Sequence, residues 1–304
     1  MSEALGEQGG RREGKGRWRV HATWVGVVVL GVAGVVVYDG VRRENTGAAV
    51  LAVSGAAGPT TRGGRERDVM RVATFNIASG TGVDGVKDLN RTVRAIREVG
   101  GADVVGLQEV RGMVLGGVRS QVEPIAEGVG MAAGFSASER RWWHDDFGNA
   151  LLTAVPVESV VRLPLPQTQE RGQRNATLAR VRFGGRVVNV MVTHIDRRVD
   201  QAAQLRFVAA VFASLEAPAV LMGDMNVTRD HPVFRELVEK WGTVDATAGF
   251  GEAGFAGATS AGAGDARRID LIFAKGMVPV GAGMVNIGAS DHPLVWADLR
   301  LGAP

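Results

Sequence analysis

Short apolar runs that stop at a polar or ionisable residue recur from about residue 70 to the end of this 304-residue chain. Val72-Ala73-Thr74-Phe75 stops at Asn76, Val104-Val105-Gly106-Leu107 at Gln108-Glu109, Val187–Val192 at Thr193-His194, and Ala219-Val220-Leu221-Met222 at Gly223-Asp224. Such runs read as buried strands. Helical patterns separate them: Leu89, Val93, Ile96 and Val99, halted by Gly100-Gly101; Val122, Ile125 and Val129; Leu205, Val208, Phe212 and Leu215. A further helix is expected with Asp230 as N-cap, Pro232 in its first turn, and Val233, Leu237 and Trp241 facing inward. Strands alternating with helices predict an α/β chain, and sites in such folds collect where strands end and loops converge.

The stops carry usable chemistry. In Gly223-Asp224-Met225-Asn226 the acid and the amide share a face if the chain stays extended. The carboxylate can orient or deprotonate a water and the amide can hold that water or a phosphoryl oxygen, although Gly-Asp-x-Asn is also good turn chemistry. Glu109, His194 and Asp291-His292 have ordinary readings too: a solvated acid, a capped core histidine, a turn. Asp270 is different. It lies within Ile269–Phe273, an apolar strand where an unpaired carboxylate is costly, so a histidine or arginine partner is expected.

Composition limits the alternatives. With no cysteine there are neither disulfides nor thiolate metal sites. The pI of about 9.8 suggests nucleic acid, yet residues 1–68 hold ten basic and seven acidic side chains while the remainder balances at twenty-five each. The excess belongs to the N-terminal segment and supports no broad electrostatic footprint on DNA. Residues 1–19 read as a basic cytoplasmic N-terminus. The nineteen residues between Arg19 and Asp39 carry no formal charge, with Trp24 and Tyr38 near their ends. At 1.5 Å per residue they extend roughly 28 Å, enough for one membrane span over 20–38. A cleaved signal peptide followed by secretion is the rival reading, but Tyr38-Asp39-Gly40 lacks a small-x-small cleavage pattern. The positive-inside bias then places the rest of the chain outside the cytoplasm. Residues 39–68, small and aperiodic, are expected to be a flexible linker, with a catalytic domain over 69–304.

The order of these motifs resembles the Mg-dependent endonuclease/exonuclease/phosphatase superfamily. The resemblance rests on Ala73–Ile77, Val105–Val110, Gly148–Leu152, Thr193-His194, Gly223–Asn226, Arg268–Phe273 and Ser290–Pro293, in family order across about residues 70–300. Gly82–Gly85 with Asp88-Leu89 also resembles a branch of extracytoplasmic bacterial members. The resemblance implies a four-layer sandwich of two mixed β-sheets flanked by helices, with one site at a sheet edge. It implies Glu109 as principal Mg²⁺ ligand (Mn²⁺ a possible substitute), with Asn76 beside it and Asp291 near the metal. It further implies Asp224 and Asn226 at the attacking water, Asp270 paired with a phosphate-contacting His292, and His194 aiding the leaving group. Arg174 and Asn149 are candidate substrate contacts. The expected activity is hydrolysis of a phosphoester, foremost a phosphodiester of nucleic acid or a phospholipid headgroup, with no obligate protein partner. The alternative is a non-catalytic, membrane-recruited binding module on the same fold.

Overall fold

The computed structural model describes residues 44–45, 47–55, 65–112, 120–140, 146–168, 173–248 and 268–302. In chain order the strands are β1 (Glu44–Asn45), β2 (Ala49–Val50), β3 (Val69–Asn76), β4 (Val104–Arg111), β5 (Ala132–Arg140), β6 (Phe147–Thr153) and β7 (Val157–Pro164). They continue with β8 (Asn175–Phe183), β9 (Arg186–His194), β10 (Ala219–Asp224), β11 (Thr243–Asp245), β12 (Asp270–Lys275), β13 (Met277–Val285) and β14 (Leu294–Leu301). The helices are α1 (Leu89–Glu98), α2 (Val122–Val129), α3 (Gln201–Ser214) and α4 (Pro232–Lys240). One sheet runs β1-β5-β6-β4-β3-β14-β13 and the other β11-β12-β10-β9-β8-β7-β2. Each is mixed, because β3 and β4 pair in parallel through α1, and β9 and β10 through α3.

Side-chain alternation along the strands builds the layers. Val72, Val104, Val192, Val220, Met222 and Ile272 meet between the sheets. The alternate residues Ala73, Phe75, Val105 and Leu107 pack outward on Val93 and Ile96 of α1 and Ile125 of α2. On the other sheet Met191, Leu221, Leu271 and Phe273 pack on Leu205, Val208 and Phe212 of α3 and on Phe234 and Leu237 of α4. Strands buried on both faces must be continuously apolar, which is why these runs lack the polar alternation of a half-exposed sheet. The expected helix–sheet–sheet–helix arrangement is the one observed.

Three expectations are corrected. Part of the linker is structured: β1 pairs with β5 and β2 with β7, Ser54 bridges Ala133, and Leu51 and Val53 pack on the inter-sheet core. Small residues suit edge pairing there because they leave the backbone accessible. The N-cap of α4 is His231, whose ring faces the Val233 N–H, and not Asp230. Trp241 lies just past the last turn and is 48% exposed, not inward. The predicted membrane span, residues 20–38, lies outside the described residues. Among those described, no helix is long and apolar enough to cross a membrane.

Candidate active site

Strand register places three of the candidates side by side. Asp224 ends β10 opposite His194 on β9 and opposite Asp270 at the start of β12, so His194, Asp224 and Asp270 form a row across three neighbouring strands. Gly223 makes this close pairing possible. Its φ is +152°, and a Cβ there would lie 1.9 Å from the Thr193 carbonyl oxygen. From the other sheet β3 delivers Asn76, and β4 delivers Glu109 at an irregularity where its pairing with β6 shifts register between Leu107 and Val110. That bulge re-aims the Glu109 side chain.

Asn76 joins the two sheets. Its Nδ2 donates to Glu109 Oε1 at 3.2 Å and to Asp224 Oδ2 at 3.1 Å, while its Oδ1 accepts from the Ala78 N–H. The Ser290 hydroxyl, donating to the Asn76 carbonyl at 2.7 Å, fastens the loop that carries His292. His292 Nδ1 lies 2.8 Å from Asp270 Oδ2, with Nε2 3.9 Å from Asp224 Oδ2. His194 Nε2 approaches the same Asp224 oxygen at 3.4 Å.

Among the described residues four non-glycine positions adopt left-handed φ: Ala78, Ser79, Glu109 and Asn226. All four border this centre. Backbone strain of this kind persists where surrounding structure imposes it, and it gathers at functional sites.

Burial and mutual repulsion set the protonation states. Desolvation, together with the Asp270 carboxylate beside it, pushes Asp224 up to about 7, against the pull of His292, Asn76 and the Asn226 N–H. For His292, desolvation disfavours the imidazolium, but Asp270, then Asp224 and Asp291, outweigh it and raise the ring to about 10. His194 goes the opposite way: burial, then the charges of Arg174, His292 and Arg197, hold it well below its ordinary value. It is therefore neutral at pH 7. Its buried Nδ1 has no hydrogen-bond partner, and its Nε2 faces Asp224.

The remaining candidates are placed less simply. Asn226 does not share a face with Asp224, because β10 ends at Asp224 and Asn226 has a φ of +52°. Its backbone N–H instead holds Asp224 Oδ1 at 2.9 Å, and its Nδ2 donates to the Ile195 carbonyl. Asn76 presents its nitrogen, not its oxygen, to the carboxylates. Asp291 is exposed, with its Oδ1 3.2 Å from Ser290 Oγ. It stands outside the Asp224–Asp270–His292 group, whose ligand atoms lie within 4.8 Å of one another.

Asn149 is buried and not in the carboxylate cluster. Its Nδ2 donates to Oδ1 and to the carbonyl of Asn175 at 3.0 and 3.1 Å. Arg174 is partly buried, with its guanidinium over the Phe147 ring. Sequence reasoning missed Asn175 and Ser79. Asn175 ties β6 to β8 across the sheets and receives the Thr193 hydroxyl; Ser79 donates to the Glu109 carbonyl. The only signal for Asn175 was an amide opening a strand whose early positions Ala176 and Ala179 are apolar.

The donor set suits a hard divalent cation. Carboxylate oxygens dominate it, and Asp270 Oδ1 is buried without a hydrogen-bond partner. The arrangement can thus position a water at a carboxylate, present a proton from His292, and neutralise charge on an oxyanion.

Comparison with known proteins gives a consistent picture. The model of the Endonuclease/Exonuclease/phosphatase family matches residues 73–292. An endonuclease/exonuclease/phosphatase from Beutenbergia cavernae superposes with a TM-score of 0.66 at 27% identity, covering 78% of this chain and 72% of that one. A mannosyl-6-phosphatase of Bacteroides thetaiotaomicron gives 0.60 at 16% identity, covering 76% and 100%. A truncated Caenorhabditis elegans TDP2 gives 0.53 at 17%, covering 76% and 97%. No curated protein matches the chain.

Proposed function

The chain belongs to the Endonuclease/Exonuclease/phosphatase family, whose members are generally phosphoester hydrolases, and from that premise we propose that it is a divalent-metal-dependent phosphodiesterase. The observation that carries the reading is the Asn76 amide, which ties Glu109 of one sheet to Asp224 of the other and so assembles one acidic centre.

Glu109, with Asn76 alongside and Asp291 at the rim, would hold the cation, because the Asp224–Asp270 pair already has the His292 imidazolium as its counter-charge. When bound, Mg²⁺ or Mn²⁺ neutralises and polarises the phosphoryl oxygens. Asp224, oriented by Asn76 and by the Asn226 N–H, takes the proton of the attacking water. His292, kept protonated by Asp270, donates to a phosphoryl oxygen. Neutral His194 faces Asp224 through Nε2 and steadies the charge that develops beside it.

Purified protein should hydrolyse at least one of bis(p-nitrophenyl) phosphate, plasmid DNA, RNA, sphingomyelin and phosphatidylinositol phosphates in Mg²⁺, and lose that activity in EDTA. Binding without turnover on every substrate would favour a non-catalytic binding module. We also propose, on the charge pattern of residues 1–43, an anchored domain outside the cytoplasm. Protease added to intact spheroplasts should then remove the domain, and full protection would reject that placement.

A further inference from the structure

We propose that Arg111, Phe147 and Arg174 form a subsite beside the catalytic centre for a second anionic group of the substrate, of the phosphate or phosphonate class. The inference rests on the phosphoester reading of that centre and narrows its substrates to those carrying more than one such group.

The Arg111 and Arg174 guanidiniums both lie over the Phe147 ring, at 5.1 and 5.7 Å from its centroid. Among the described residues neither faces a carboxylate, unlike Arg65, Arg71, Arg91 and Arg229, which face Asp103, Asp298, Asp84 and Asp245. Two cations gathered on one ring repel each other, and the ring quadrupole offsets only part of that cost. An anion within reach of both guanidiniums would offset the rest.

Both arginines are attached to the centre. Arg111 Nε donates to Ser79 Oγ at 3.0 Å, and that hydroxyl donates to the Glu109 carbonyl. Arg174 directly precedes Asn175, whose carbonyl receives the Thr193 hydroxyl next to His194. The Arg174 charge is felt at His194. Arg174 Nη1 donates to the Gln173 carbonyl, while its Nε is buried without a partner. A guanidinium carries five N–H donors, so each arginine keeps most of its capacity, and all three side chains stay partly accessible. The reacting phosphoryl group already has the cation site and His292. The arginine pair is surplus to it, which assigns the pair to a second anion.

The test is equilibrium binding by calorimetry to the full-length chain at fixed Mg²⁺, with no turnover required. Methylphosphonate is compared with methylene-, ethylene- and propylene-bisphosphonate. At least one bisphosphonate should bind about tenfold tighter or more, the scale of one charge-assisted hydrogen bond. Arg111→Gln and Arg174→Gln should each remove most of that advantage, and Arg111→Lys should restore part of it. Arg94→Gln, on the exposed face of α1, should keep it. Thermal melting of each variant verifies that it is folded. An advantage that no spacer shows, or one that survives both glutamine substitutions through metal contacts alone, overturns the subsite. Bisphosphonate preference without phosphodiester turnover would reject the proposed function and leave the subsite standing; turnover without preference would do the reverse.

Discussion

At the scale of single residues, the centre is a problem of charge solved by adjacency. Asp224 is 2% exposed and stands opposite a second buried carboxylate, so neither solvent nor distance relieves it. The His292 imidazolium relieves it instead, and its folded value near 10 against an ordinary 6.5 has a thermodynamic consequence. A group raised on folding stabilises most below its unfolded pKa and loses that contribution as pH climbs through the folded one. Asp224, raised to about 7, loses its contribution lower, between its ordinary 3.8 and 7. The melting temperature of metal-free protein should therefore fall from pH 6.5 to 10 more than in His292→Asn. Equal slopes for the two proteins would show that His292 is not held protonated. The sequence did reveal that Asp270 needed a partner, because an acid inside an apolar strand is informative by itself. It did not reveal Asn76 as the link between sheets, since that depends on contacts between distant strands.

At the scale of elements, the strand-end residues were legible because buried strands have a strong sequence signature and their ends are abrupt. Small edge strands have none. Residues 47–55 are short, Ala-rich and aperiodic, yet this segment spans from one sheet to the other: β2 lies against β7, Ser54 bridges Ala133 of β5, and the Leu51 N–H donates to the Val160 carbonyl. Arg162, reaching the Gly47 carbonyl at 2.7 Å, holds it from β7. The segment thus closes one end of the sandwich over the apolar core. Removing residues 1–43 should leave the melting temperature of the domain nearly unchanged. Removing 1–55 exposes the core around Leu51 and Val53, and a loss of roughly 2–4 kcal/mol should lower it by about 5–15 °C. Identical melting of the two truncations would mean that the segment contributes nothing.

At the scale of the whole molecule, two βαβ units, one in each sheet, point the C-terminal ends of β3, β4, β9 and β10 at a common edge. That geometry explains why residues spread from Asn76 to His292 form one site, and why apolar periodicity and motif order together conveyed the fold better than any single motif. The α4 cap and the Trp241 exposure were misjudged because one position decides each, and local propensity does not determine a single position. The claim on which the account depends is that Glu109 holds a divalent cation that hydrolysis requires. The direct measurement is initial rate against Mg²⁺ concentration, for EDTA-stripped wild type and Glu109→Gln, on the best phosphodiester found. The wild type should be inactive without metal and saturable with it. Glu109→Gln should melt nearly as wild type does when metal-free, yet need about 10–100-fold more Mg²⁺ for half-maximal rate, the usual scale for a weakened metal site. A rate indifferent to EDTA, or the same half-saturation in both proteins, would contradict the account.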